Sequence, residues 1–283
     1  MRRGRAGWPI LLPGFSLMAL MAVMAGIPSP ATAQTKTRPI DVLAKPAPPE
    51  EPRNRIGVDY EYENFNRDLT PWNWVSLEYS HRFDWGSLIG RANWAHRFDE
   101  SAEQYEIDAY PKLTKNTYLY LNFGVAPDSF FPEQRYGAEI FWNLPKHWEA
   151  SGGLRRLEFE DTVVHILTGS VGYYAGNYYY SARPWISNRP GDTAVSLSLL
   201  MRRYFATRND YWTIRLSGGQ GADADITADE LILSKHGSLT FEWQKMFRPL
   251  WIVSAKAGGD TREFETGNDR QSWIVGAGLK RLF

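Results

Sequence analysis

The sequence predicts an all-β fold: an antiparallel up-and-down transmembrane β-barrel of about fourteen strands. Three observations point to it. From Ile56 onward the chain divides into segments of about ten residues in which apolar and polar side chains alternate, the period-two pattern of strands. Beyond the N-terminal region no stretch reaches the roughly 18 apolar residues that a membrane helix needs. The chain carries 12 Trp and 15 Tyr, and these recur near segment ends, where an amphipathic ring suits a lipid interface.

The N-terminus reads separately from the barrel. MRRGR is a basic start, WPILLPGFSLMALMAVMAGI is apolar, and Ala31-Thr32-Ala33 is a small-x-small cleavage pattern, so residues 1–33 are expected to be an export signal. A retained membrane anchor is the competing reading. Residues 34–55 hold five prolines, charges of both signs and no aromatic residue, which makes a periplasmic linker with no packed core. The barrel is then expected over 56–283 as one domain.

The strands are expected at 56–65, 73–84, 86–98, 103–112, 116–126, 133–143, 147–159, 162–174, 177–187, 194–204, 211–220, 236–246, 250–262 and 271–283. Val195, Leu197, Leu199 and Met201 oppose Ser196, Ser198 and Arg202. Leu239, Phe241 and Trp243 oppose Ser238, Thr240 and Glu242. Segment 162–174 is apolar on both faces. Twelve or sixteen strands stay open, because 221–235 either extends a strand or forms a loop. FDWG, LTKNT, NLPKH, YAGN, FATRND and MFRPL read as tight turns at one end. NRDLTP, FDESAE, APDSFFPE, SNRPGD, QGADADITADELILSK and TREFETGND read as longer loops at the other, the asymmetry of an outer-membrane barrel. A soluble β-sandwich is the competing fold. It would put its polar face in water, whereas here the polar face carries charges of both signs and the apolar face ends in Trp or Tyr.

The last strand, QSWIVGAGLKRLF, places Trp273, Val275, Ala277 and Leu279 on one face and ends on Phe283. Such a terminus needs a partner, and the first strand supplies it by closing the barrel, which leaves no bare backbone edge in lipid. The terminal aromatic resembles the C-terminal signature that barrel-insertion machinery recognises. Arg281 departs from that signature, and an arginine near the interface can snorkel to headgroups.

GGLRRLEFEDTVVHILTGSVGYYAGNYYYSARPW (152–185) and RRYFATRNDYWTIRLSGG (202–219) resemble the YaiO family of outer-membrane β-barrels in the order and spacing of strand-sized blocks. The resemblance covers most of 56–283 and is strongest over 133–283. Relatives often carry helical repeats before the barrel, and here a Pro-rich stretch stands in that place. The resemblance implies an outer-membrane location and no particular reaction.

Composition excludes several classes. There is no cysteine, so neither disulfides nor thiolate metal sites form, and 32 basic against 32 acidic residues do not suggest a nucleic-acid partner. No cofactor is expected. The expected partners are outer-membrane lipid, the insertion machinery during biogenesis, and a polysaccharide or envelope component. Catalysis would need a base beside a nucleophile. His165 has Ser170 and Asp161 near it in sequence, and an interface histidine is the simpler reading. Asp223, Asp225 and Asp229 form a weak candidate for a hard cation, and a solvated acidic loop is the simpler reading.

The inward polar face is the better candidate site. Its acids are Asp59, Glu61, Glu63, Glu78, Glu106, Asp108, Glu139, Glu149 and Glu242. Its bases are Arg82, Arg91, Arg97, Lys112, Arg135, Arg155, Arg183, Arg202, Arg215 and Lys256. The acids lean toward the first strands and the bases toward the later ones, which suggests one acidic and one basic wall. These charges either line a narrow pore for a polar solute or glycan, or pair into ladders that fill a scaffold barrel. A lipid- or peptide-modifying barrel enzyme is the third reading.

Overall fold

The computed structural model describes residues 52–66, 69–97, 99–127, 130–189, 192–220, 234–248, 250–264 and 269–283. The expected export signal, the linker up to residue 51 and Asp223, Asp225 and Asp229 lie outside the described residues. The first strands are β1 (Asn54–Phe65), β2 (Trp72–Phe83), β3 (Gly86–Arg97), β4 (Glu100–Ala109) and β5 (Thr117–Val125). Then come β6 (Gln134–Asn143), β7 (Trp148–Phe159), β8 (Thr162–Ala175), β9 (Tyr178–Arg189) and β10 (Asp192–Tyr204). The last are β11 (Tyr211–Gln220), β12 (Ser234–Phe247), β13 (Trp251–Phe264) and β14 (Arg270–Leu282).

Each strand pairs antiparallel with its chain neighbours, and β1 pairs with β14, so the sheet closes on itself. Asn54 and Phe283 exchange backbone hydrogen bonds, N to O, at 3.0 Å each way. The terminal phenylalanine is thus part of the seam. Arg281 faces outward with its guanidinium 5.4 Å from the Trp251 ring, which gives that cation an aromatic partner at the rim.

The outer face is apolar. Leu154, Leu167, Ile107 and Leu239 are 55–60% exposed around the girth, a belt that water would not tolerate and lipid does. Trp85, Trp148 and Phe247 stand at the end where the chain enters and leaves, called here the terminal end. Trp94, Tyr105, Tyr136 and Trp273 stand toward the opposite, loop end. These are the two aromatic girdles of a membrane barrel.

Three expectations need correction. The barrel starts at Asn54, so the last two linker residues belong to β1. Strand β4 starts at Glu100, three residues early, because pairing with β3 continues to Arg97 opposite Glu100. The tight turn is made by Asp99, in the left-handed region at φ 66°. Pairing of β9 with β10 likewise continues to Arg189 opposite Asp192. The loop-end connections after β3 and β9 are therefore short, while 110–116 and 205–210 at the terminal end are longer, and the contrast between ends is weaker than the sequence suggests.

Segment 162–174 resolves cleanly. Val164, Ile166, Thr168 and Ser170 face inward and are buried, whereas Leu167 and Val171 face lipid. The inward apolar pair packs with Leu157, Phe159 and Trp185 as a patch inside the barrel. Pairing of β4 with β5 spans only Tyr105–Ala109 against Leu121–Val125. Beyond it Ala126, Phe130 and Phe131 pack on the inward-facing Ala95, Ala102 and Trp74.

Candidate functional site: the charged lumen

Odd residues of β1 and even residues of β2 and β4 point inward, and on this wall the charges interlock. Glu78, Arg91 and Glu106 are directly opposed on β2, β3 and β4, and Arg135 of β6 lies one strand beyond, across Gly124. Arg55 donates to Glu78 at 2.7 Å, Arg91 to Glu106 at 2.6 Å, and Arg135 to Glu106 at 2.7 Å. Arg91 also meets Asp108, whose other oxygen accepts from the Asn122 amide at 2.6 Å. Glu106 and Asp108 are 5% and 2% exposed, so their charges survive burial because each oxygen has a cationic or amide donor.

Gly124 permits this reach. A Cβ there would lie 2.7 Å from Arg135 Cγ and 2.9 Å from Cδ. The same device recurs at Gly276. Lys256 of β13 crosses it to reach Glu61 of β1, with Nζ to Oε2 at 2.6 Å. Lumen-facing glycines are thus the gaps through which long charged side chains bridge non-adjacent strands.

The second group lies on β6–β9. Arg183 reaches Glu139 at 2.7 Å, over Ser151 and Ser170, whose hydroxyls are 2.7 Å apart. Trp185 sits between two guanidiniums, with Arg155 at 4.9 Å and Arg183 at 5.3 Å from its ring centre.

The third wall, β10–β13, is looser. Arg202 and Glu242 approach only to 4.0 Å, and Arg202 stacks on Tyr211 at 4.1 Å. Arg215 shares the inward face with Thr213 and Ser217 and is exposed. A cavity of about 410 Å³ lies between this wall and β1–β4, bordered by Glu61, Glu78, Arg91, Glu106, Glu242 and Lys256. The structure therefore brings six of the eleven lumen candidates around one space. Asp108, Arg155, Arg183, Arg202 and Arg215 face inward elsewhere.

The expected acidic and basic walls are not what forms. Arg55, Arg91 and Arg135 interleave with the acids of the early strands, because neutral ladders are the only way to bury that many carboxylates. The His165 constellation also fails. His165 and Ser170 are an odd number of residues apart on one strand, so His165 faces out while Ser170 faces in. Among the described residues no group of three His, Asp or Glu is arranged to hold a metal.

Two features escaped the sequence reading. Lys280 reaches Asp59 at 3.2 Å, a role its place on the polar face of the last strand could have suggested. The aromatic block at the loop end could not have been read. There Trp72 stacks edge-on to Phe65 at 4.7 Å, Trp74 to Phe131 at 5.2 Å, and Arg97 and Arg270 lie over Trp72 at 4.1 and 4.9 Å. It depends on Phe130 and Phe131, which lie outside any strand, packing against inward-facing residues of β2, β3 and β4.

The closed fourteen-strand sheet, lipid-suited outside and polar within, defines an outer-membrane β-barrel. Residues 53–224 match the model of the YaiO membrane beta barrel domain, and the chain belongs to that family. Strands β12–β14 lie beyond the matched stretch. Among solved structures, the chain resembles a bacterial polysaccharide outer membrane secretin (TM-score 0.51, 7% identity, 82% of this chain and 99% of that one). It also resembles an OccD1 (OprD) variant (TM-score 0.48, 9% identity, 82% and 95%). A third likeness is the Acinetobacter baumannii outer membrane protein Omp33 (TM-score 0.46, 12% identity, 82% and 99%). No curated protein sequence matches the chain.

Proposed function

We propose that this barrel is a narrow pore for a polar solute or glycan. The observation that carries the reading is the unequal lumen. One wall is locked by buried ion pairs, while on the β10–β13 wall Arg215 is exposed on the inward face and Glu242, 4.0 Å from Arg202, borders a cavity of about 410 Å³. Fourteen strands leave room for such a channel. The locked wall gives stiffness, and the loose wall gives a polar path.

A filled scaffold barrel is the second reading, favoured by the block of Phe65, Trp72, Trp74, Phe130 and Phe131 at the loop end. An enzyme is the weakest, since no base and nucleophile meet among the described residues discussed above. Conductance separates the first two. Protein purified from outer membranes, checked for folding by heat-dependent gel mobility, is placed in a planar bilayer. Stable open steps whose ion selectivity shifts in an Arg215→Gln, Lys256→Gln variant support the pore. A folded, silent barrel that stays silent after Phe130→Ala and Phe131→Ala refutes it.

A further inference from the structure

Most charged side chains of the strands point into the lumen, and strand parity puts only a few on the outer face. At the loop end these are Glu103, Arg156, Glu158, Lys235 and Glu263. Their signs are mixed: Arg156 is ion-paired with Glu158, and Lys235 lies directly opposite Glu263. At the terminal end they are Arg203, Lys245 and Arg281. All three are bases, and all three are exposed. Each lies one or two residues from the end of its strand, on β10, β12 and β14, so they share one level. Successive bases are two strands apart, about 10 Å across the sheet. Among the described strand residues, the terminal-end outer face of β1–β9 carries no Lys, Arg, Asp or Glu, and its His81 is hydrogen-bonded to Asn54 at 2.7 Å.

Among the described residues, none of the three pairs with a carboxylate; their neighbours are aromatic. The Arg203 guanidinium is 5.6 Å from the Tyr178 ring centre and 5.2 Å from that of Phe205, and Arg281 stacks on Trp251 as described above. Lys245 stands on β12 between Trp243 and Phe247, both exposed. Such rings orient a cation without neutralising it. The one acid in the described turns of this sector is Asp210, whose carboxylate accepts from Met246 N at 2.6 Å. Toward the middle of the barrel the same face continues into Leu216, Leu239 and Leu279, exposed members of the lipid belt. The three bases thus edge the lipid-covered surface over β10–β14 alone.

We propose that this strip docks the phosphate headgroups of anionic glycerophospholipids in the leaflet at the terminal end. It holds whether or not the lumen conducts. Continuity with the apolar belt makes lipid the occupant: acyl chains cover Leu239 and Leu279 while the headgroup phosphate meets the bases by charge-assisted hydrogen bonds. A zwitterionic headgroup has no net charge to offer three bases that lack carboxylates. Anchoring by snorkelling alone needs no sector, and bases spread around the rim would serve it as well; here β1–β9 carry none. A second copy of this chain docked by the same face would set like charges against each other.

The test counts retained lipids by native mass spectrometry. Protein purified from outer membranes is delipidated by detergent exchange, checked for folding by heat-dependent gel mobility, and given phosphatidylglycerol and phosphatidylcholine of identical acyl chains in equal amounts. Phosphatidylglycerol is expected to be retained at least about fivefold in preference, the factor that one base near an anionic headgroup supplies. Arg203→Gln, Lys245→Gln and Arg281→Gln together should abolish the preference. Arg203→Gln with Lys245→Gln, which leaves the C-terminal strand intact, should at least halve it if the triple variant does not fold. Lys235→Gln at the loop end should leave it unchanged. Equal retention of the two lipids overturns the assignment, as does a preference that survives in the folded triple variant or falls equally in Lys235→Gln. Displacement of phosphatidylglycerol by an equal concentration of inorganic phosphate would mark a general anion site and overturn it too. So would a lipid-free dimer that the triple variant loses, since the strip would then join two copies.

Discussion

Adding one methyl group at Gly124 should destabilise the barrel, while the same change at Gly152 should not. At Gly124 the new Cβ would sit 2.7 Å from Arg135 Cγ, 2.9 Å from Cδ and 3.3 Å from Glu106 Cγ. These atoms are the stem of the arginine and not its free tip, so the side chain must shift by more than half an ångström to reach ordinary contact. That shift moves the guanidinium off Glu106, now 2.7 Å away and 5% exposed. Overpacking of this kind costs about 1–3 kcal/mol. Complete loss of a buried pair would cost about 3–5 kcal/mol, but Glu106 keeps Arg91 at 2.6 Å. The expected loss is therefore about 2 kcal/mol. Gly152 faces lipid and a Cβ there meets nothing within 4 Å, so Gly152→Ala should change stability by less than about 0.5 kcal/mol. Reversible guanidinium unfolding in lipid vesicles, followed by tryptophan fluorescence, measures both. Equal midpoints for the two variants would refute the view that lumen glycines make room for the ladder.

Glu106→Gln should cost about 3 kcal/mol by leaving Arg91 and Arg135 short of a buried partner, whereas Glu242→Gln, at 4.0 Å from Arg202 and with its side chain 38% exposed, should cost under about 1 kcal/mol; the same unfolding assay ranks them. Leu167→Arg places a charge on the lipid face and should cost about 2–4 kcal/mol, and a neutral result there would mean that the sheet is turned inside out. Phe131→Ala should raise single-channel conductance, because Phe131 packs edge-on against Trp74 at 5.2 Å on the inward face; unchanged conductance would show that this ring does not narrow the path. Phe283→Ala keeps the backbone pair with Asn54 but removes the terminal ring. It should lower the level of folded protein in outer membranes, read by heat-dependent gel mobility, and a wild-type level would count against recognition of that residue.

The strands and the facing of most residues were legible because a sheet repeats every two residues, so a local pattern fixes which side chains share a face. Val195, Leu197 and Leu199 against Ser196 and Ser198 needed no knowledge of neighbours. The same parity would have separated His165 from Ser170. The seam was legible from Phe283, since an apolar strand cannot end a chain without a partner. Segment 162–174 was not, because Ile166 and Val164 are apolar yet point inward, against a patch built from β7 and β9.

What the amino-acid sequence determined by itself was a closed, lipid-facing barrel with a charged interior, since alternation and turns are local properties. Which charges meet was decided only by the tertiary structure. Arg135 finds Glu106 across Gly124, and Lys256 finds Glu61 across Gly276 and the closing seam. Those partners are set by the register of several strands at once and by the curvature of the wall. The same holds for Phe130 and Phe131, which are buried against Ala95, Ala102 and Trp74 beyond the point where β4 and β5 stop pairing. Face is written in the period of the chain, but contact across a lumen depends on closure, and closure is a property of the whole sheet.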